Sequence, residues 1–232
     1  MNKTKLAFVV MIGIFCFACN EKEAAKVQNT VPETAEKSAG EVTQLAEAAE
    51  KYVVGTFTDS RNGKAYKTVK IREQVWIAEN LNYNASSSKC YNDSTANCDK
   101  YGSLYNWETA MKACPKGWHL PTNKEWETLL SSLGGKRESY QGEECECEMV
   151  FYAGVAKNLK SKGGFSALLG GTFLQGDYDE SHITFESIGD YGCWFSASPG
   201  NSAGEIWFMS EDDARVKSLE YKEGCSVRCV KD

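Results

Sequence analysis

A chain of 232 residues has room for one domain with appendages rather than two, and 42% hydrophobic residues with six tryptophans suffice for a core. A formal charge of −6 argues against a nucleic-acid partner, which would need a basic patch. Two histidines, His119 and His182, and a lone C-x-x-C at Cys16 and Cys19 leave little for a zinc site, so no metal or other cofactor is expected.

Ten cysteines are many, and the redox compartment decides how to read them. Lys3 and Lys5 precede an uncharged apolar run over residues 6–18. That run falls short of the ~20 residues a bilayer span takes and fits the core of a signal peptide. It ends Cys16-Phe17-Ala18-Cys19-Asn20, a small residue followed by cysteine. The ending resembles a bacterial lipobox, although Cys16 stands where leucine is usual. The resemblance implies a signal peptide over 1–18, lipidation of Cys19 and anchoring at the cell envelope, outer membrane or cell surface. Two acyl chains hold a protein on a membrane stably where one does not. Residues 19–51, rich in Glu, Ala, Lys, Thr and Gln and without aromatics, cannot bury enough to fold alone and read as a disordered tether.

The folded domain is expected over residues 52–232. Strand-like runs over 56–59 and 64–71 flank Asn62-Gly63, a strong hairpin signal. Residues 74–78 read as a third strand. The polar stretch 82–99 carries Cys90 and Cys98, a local pair able to staple a loop with little core of its own. Leu104, Trp107, Met111 and Cys114 predict one apolar face of a short helix that Ser103 caps. Thr122 and Glu125 form a T-x-x-E capping box behind Pro121. Trp126, Leu129, Leu130 and Leu133 then recur at i, i+3, i+4, i+7, and Gly134-Gly135 ends that helix. A charged segment over 136–148 holds Cys145 and Cys147. Residues 150–160 read as a further short helix with Phe151, Val155 and Leu159 on one side. Strands are predicted over 165–169, 193–197, 205–209, 215–219 and 226–230. Strands, two main helices, then strands again indicate an α+β domain with antiparallel sheets.

This order resembles a C-type-lectin-like domain, in which a cysteine at the first helix meets one in the final strand. The segments 57–71, 76–83, 90–93, 97–102, 110–122 and 224–232 are similar to the Fibrobacter succinogenes major paralogous domain. The likeness covers roughly 55–232, is strong through Leu130 and weakens across 136–160. That family usually carries Phe where Cys225 stands. The resemblance implies a fold and an extracytoplasmic address, and no reaction. It also implies a Cys114–Cys229 bond, whose long loop corresponds to ~4–5 kcal/mol of chain-entropy stabilisation. Cys90 pairs locally with Cys98. Cys193 and Cys225 replace positions usually not cysteine and are paired with each other. Cys145 and Cys147 remain, bonded to one another or to partners among the rest.

Leu120-Pro121-Thr122-Asn123-Lys124-Glu125-Trp126-Glu127 also resembles a motif of formylglycine-generating-enzyme relatives, which work through a cysteine pair near the C-terminus. Cys225 and Cys229 invite the analogy, but the motif is first a helix cap over a core face, and shared scaffold is weak evidence for shared chemistry. Calcium-dependent sugar binding lacks its signature, since Ser198-Pro199-Gly200 has no flanking carboxylate and amide. Asp177, Asp179 and Glu180, like Glu211, Asp212 and Asp213, read as solvated turns. Trp194 and Trp207 fall on strand positions and read as core, which leaves Tyr178 and Tyr191, in turns, to stack on a sugar ring. The expectation is a surface lipoprotein that binds, without catalysis, a polysaccharide or another surface protein. The alternatives are an enzyme on the same scaffold and a structural envelope component.

Overall fold

Residues 52–141, 148–176, 182–199, 204–210, 213–218 and 223–232 are described by a computed structural model. Val53–Thr58 (β1) and Ala65–Ile71 (β2) pair without a register break, Val53 opposite Lys70 and Thr58 opposite Ala65. The turn between them is fixed by Asp59, whose buried carboxylate accepts from Arg61 Nε at 2.9 Å and Nη2 at 2.7 Å. Gln74–Ile77 (β3) follows through a tight turn and pairs back on β2. So far the elements are those predicted.

The polar stretch departs from expectation by forming a short helix, Thr95–Tyr101 (α1), tied by a Cys90–Cys98 disulfide with Cα atoms 5.0 Å apart. The next helix starts later than its apolar spacing predicts. Leu104–Tyr105 is a strand (β4), and the helix is Trp107–Ala113 (α2). Its cap is Asn106, whose Oδ1 accepts from Thr109 N at 3.0 Å, rather than Ser103. Small Ala110 and Ala113 face the core, while Met111 is 42% exposed. The reason is long-range: Leu104 is drawn into pairing with Ser226, over a hundred residues away.

Trp118–His119 (β5) leads into Asn123–Ser132 (α3), where both halves of the capping box are present. Trp126, Leu129, Leu130 and Leu133 are all buried, and Gly134 ends the turn at φ +88°, a conformation glycine adopts without a Cβ penalty. Lys136–Gln141 (β6) and Glu148–Ala153 (β7) form an antiparallel pair that replaces the predicted start of a helix at Val150. Val150, Phe151 and Tyr152 suit a strand better than a helix, and Gly154, at φ +74°, ends it. Only Ala156–Lys160 (α4) is helical, with Leu159 buried on it and Val155 buried at its cap. Residues 165–169 are not a strand; Phe165 is instead a loop residue sunk completely in the core. Thr172–Gln175 (β8) pairs with Ile183–Glu186 (β9), a hairpin that the sequence reading did not contain. Gly192–Pro199 (β10), Gly204–Met209 (β11) and Asp213–Ser218 (β12) form a meander close to its predicted place.

The predicted last strand is two strands. Glu223–Ser226 (β13) joins the larger sheet and Val230–Lys231 (β14) the smaller. Among the described residues the smaller sheet runs β1-β2-β3-β14-β5 and the larger β6-β7-β12-β11-β10-β13-β8-β9, with β4 beside β13. Nearly all pairings are antiparallel; β10 with β13 is parallel. Disulfides Cys114–Cys229 and Cys193–Cys225, with Cα separations of 5.8 and 5.3 Å, tie α2 to the start of β14 and β10 to β13. The domain is thus mostly antiparallel sheet, with four helices and three disulfides among the described residues. Cys16, Cys19, Cys145 and Cys147 lie outside them.

Between the sheets sits a cluster of rings around Trp126, and beside it a buried polar hub. Asn80 Oδ1 accepts from Trp194 Nε1 at 2.9 Å and Arg228 Nε at 2.8 Å, while Asn80 Nδ2 donates to Tyr101 O at 2.8 Å and Ser226 Oγ at 3.2 Å. Every polar atom of that side chain's amide is therefore paired, as burial demands.

The α3 cap extends outward through a histidine. Glu125 Oε2 accepts from Thr122 N and Oγ1, both at 2.8 Å, and Glu125 Oε1 meets His119 Nε2 at 2.9 Å. The other ring nitrogen, His119 Nδ1, lies 2.8 Å from Asp232 Oδ1. Burial works against the charged imidazole, but bonds to Asp232 and Glu125 outweigh it and hold its pKa above the ordinary 6.5. Burial likewise pushes the Glu125 carboxyl up, and donors from Thr122 together with His119 outweigh that and hold it below 4.5. A raised histidine stabilises the fold fully below its unfolded value and loses this as pH rises through the folded one; for a lowered carboxylate the direction reverses. The margin of wild type over His119→Gln should therefore be widest between pH 4.5 and 6.5 and shrink on both sides. Urea midpoints of both proteins across this range measure it, and a margin independent of pH refutes the linkage.

Candidate functional site

β10 and β11 set Cys193 opposite Phe208 and Phe195 opposite Ile206. On the other side of β10, β13 lies with Ser226 level with Trp194, and its Glu223 stands opposite Leu174 of β8. These neighbours border a cavity of about 190 Å³. Cys193, Ile206 and Phe208 give it an apolar lining, and Thr172, Tyr191, Ser210 and Glu223 supply oxygen-bearing groups. Cys193 and Ile206 are buried, Phe208, Tyr191 and Glu223 are partly exposed, and Ser210 is exposed.

Local chemistry places each wall. Tyr191 stands where the chain enters β10. Its N–H donates to Ser187 O at 3.2 Å, and its carbonyl accepts from Gly171 N at 3.0 Å. Gly171 makes that approach at φ +68°, and a Cβ there would collide with the Glu186 carbonyl and the Tyr91 ring. Thr172 Oγ1 donates to Gly224 O at 2.7 Å, which commits its proton and leaves the hydroxyl an acceptor. The Cys193–Cys225 bond fixes β13 beside β10 and so holds the two walls together.

The cavity lining contains no histidine, and its one cysteine is in a disulfide. Cys225 and Cys229, the pair that the enzyme analogy would use, are completely buried and bonded to Cys193 and Cys114 respectively. Among the described residues no group of three or more His, Cys, Asp or Glu is placed to hold a metal ion.

Of the two tyrosines singled out from the sequence, Tyr191 lines this cavity and Tyr178 lies outside the described residues. Asp177, Asp179, Glu180, Glu211 and Asp212 also lie outside them. Trp194 and Trp207, read as core, are each 2% exposed. The sequence reading missed Thr172, Ile206, Phe208, Ser210 and Glu223. Alternation in β11 carried part of the signal, since Ile206, Phe208 and Ser210 are two apart and share a face. Which face lay open depended on β8 and β13, from distant parts of the chain.

Residues 69–231 match the family described as the Fibrobacter succinogenes major domain. No curated protein and no solved structure matches the chain. The matched span takes in β3 through β14, the three disulfides and the whole cavity lining, well over half of the sequence. The chain belongs to the Fibrobacter succinogenes major domain family.

Proposed function

We propose that this protein is a non-catalytic binding protein of the cell envelope, held by lipid on Cys19, whose C-type-lectin-like domain takes a saccharide ring in the Tyr191 cavity. The observation that carries the reading is the chemistry of that lining. An apolar floor with an aromatic ring at the side suits the C–H face of a sugar, and Thr172, Ser210 and Glu223 suit its hydroxyls. At about 190 Å³ the cavity is smaller than the ~300–1,000 Å³ of drug-sized sites, which favours one ring or a chain end over an oligomer. The lectin-like reading draws support from the Cys114–Cys229 bond between a helix end and the closing strand. The enzyme alternative is weakened by the separate disulfides that occupy Cys225 and Cys229.

A glycan array probed with the full chain, with calcium and with chelator, tests the binding half. The expected result is a set of related glycans whose binding Tyr191→Ala reduces at least tenfold, about 1.4 kcal/mol. An array without hits, or hits indifferent to Tyr191→Ala, returns the reading to a structural envelope component.

The anchoring half has its own readout. A cell making the wild-type chain should incorporate labelled fatty acid into it, and Cys19→Ser should abolish the label and release the protein from membranes. Equal fractionation of the two proteins refutes the anchor.

A further inference from the structure

We infer that the concave face of the smaller sheet is a second ligand site, for a saccharide that carries carboxylates. The sheet is curled so far that its two outermost strands approach one another. Phe57 of β1 and Trp118 of β5 meet with ring centroids 5.0 Å apart. Register places Phe57 level with Tyr66, Thr68 with Ile77, Lys70 with Val75 and Lys231 with Trp118, so alternate residues share this concave face. The trough between them measures about 370 Å³, within the ~300–1,000 Å³ usual for ligand clefts. Phe57, Thr68, Val75, Lys116, Trp118 and Lys231 line it.

Three features point to an anionic sugar. The first is charge. The chain as a whole carries −6, yet the lining holds two exposed lysines and no carboxylate. The neighbouring Asp232 carboxylate is paired with His119 at 2.8 Å. A concave patch of one sign concentrates ligands of the other. The second is the mixture of surfaces. The Phe57–Trp118 pair offers aromatic area to a sugar's C–H face, and the lysines flank it where carboxylates would fall. The third is Gly55, in the middle of a strand otherwise built from Val, Thr and Phe. It faces Thr68, and a Cβ there would stand 3.0 Å from Thr68 Oγ1. Glycine inside a strand marks close approach of another group, and here the missing side chain leaves space beside Thr68, itself only 9% exposed. An acidic peptide is the less suitable occupant. Extended peptides dock on a sheet's open edge through backbone bonds, whereas this trough lies on the face, where the backbone is already used in the ladder.

The site shares no residue with the Tyr191 cavity, so the two readings stand or fall separately. Calorimetric titration of the full chain with an oligogalacturonate tests it, with a neutral cello-oligosaccharide and an oligoglutamate of matched length as comparisons. Oligogalacturonate should bind, more weakly as salt rises, and at least tenfold more tightly than either comparison. Lys116→Gln with Lys231→Gln should reduce its affinity at least tenfold, each single substitution giving part of the loss. Tyr191→Ala should leave it unchanged. Both lysines are exposed, so the double variant should keep the wild-type urea midpoint. No binding of oligogalacturonate, or binding untouched by the double substitution, overturns the proposal. Equal affinity for oligoglutamate overturns it in favour of an acidic-peptide site, and equal affinity for the neutral sugar removes the role of the lysines.

Discussion

Trp126→Ala should destabilise the domain by about 3–5 kcal/mol, the usual loss for truncating a large buried aromatic. Trp126 is 2% exposed and forms the middle of the ring cluster between the sheets. Its ring centroid lies 5.0 Å from Trp76, 5.7 Å from Phe165, 6.2 Å from Trp194 and 6.5 Å from Trp207. These partners come from β3, a loop, β10 and β11, so one side chain holds the helix against both sheets. Its Nε1 also donates to Phe195 O at 3.3 Å, and alanine would leave that carbonyl unpaired. Trp126→Phe keeps a ring in the space and should lose less. Urea unfolding with the disulfides intact measures both. A loss for alanine below about 1 kcal/mol, the centre of ordinary substitutions, would show that the cluster closes over the gap.

Arg228→Met should cost a comparable amount, about 3–6 kcal/mol, taking ~1.5–3 kcal/mol for each of two buried bonds to a charged group. Arg228 has no exposed surface. Nε reaches Asn80 Oδ1 at 2.8 Å, Nη1 reaches Phe165 O at 2.8 Å and Ile77 O at 3.2 Å, and Nη2 reaches Ser166 O at 3.0 Å. Its guanidinium carbon also lies 4.5 Å from the centroid of the Phe165 ring. Burial lowers its pKa to about 9, with Glu79 acting the other way, so it remains protonated at neutral pH. Methionine relieves the cost of a buried charge but strands several carbonyls together, and that second effect should win. Arg228→Lys is the informative companion: it keeps the charge and loses the planar fork that reaches separate acceptors. If methionine matches wild type in urea, the guanidinium is only filling space.

The two residues differ in how far the sequence announced them. Trp126 was legible because a capping box and a 3.6-residue period are local facts, fixed by residues within two turns of one another. Asn62-Gly63 between strand-like runs was legible for the same reason. The pairing of Cys114 with Cys229 was available only through resemblance, because nothing within reach of either cysteine specifies a partner 115 residues away. Arg228 gave no sign of burial. An arginine between Val227 and Cys229 reads as a solvated strand residue until Asn80, Phe165 and Ser166 are brought around it.

Local chemistry by itself therefore determined where the chain turns, where α3 begins and ends, and which of its faces is apolar. Tertiary structure decided what those signals compete with. Leu104 left its helical spacing because Ser226 offered a strand partner, and Asn106 then took the cap. The closing segment broke into β13 and β14 because residues 227–229 cross from one sheet to the other, with Arg228 turned inward. The Tyr191 cavity exists only where β8, β10, β11 and β13 lie side by side. Period and caps act over a few residues, whereas strand neighbours and cavity walls follow from which distant surfaces bury one another. A single sequence records the first directly and the second only through the packed fold.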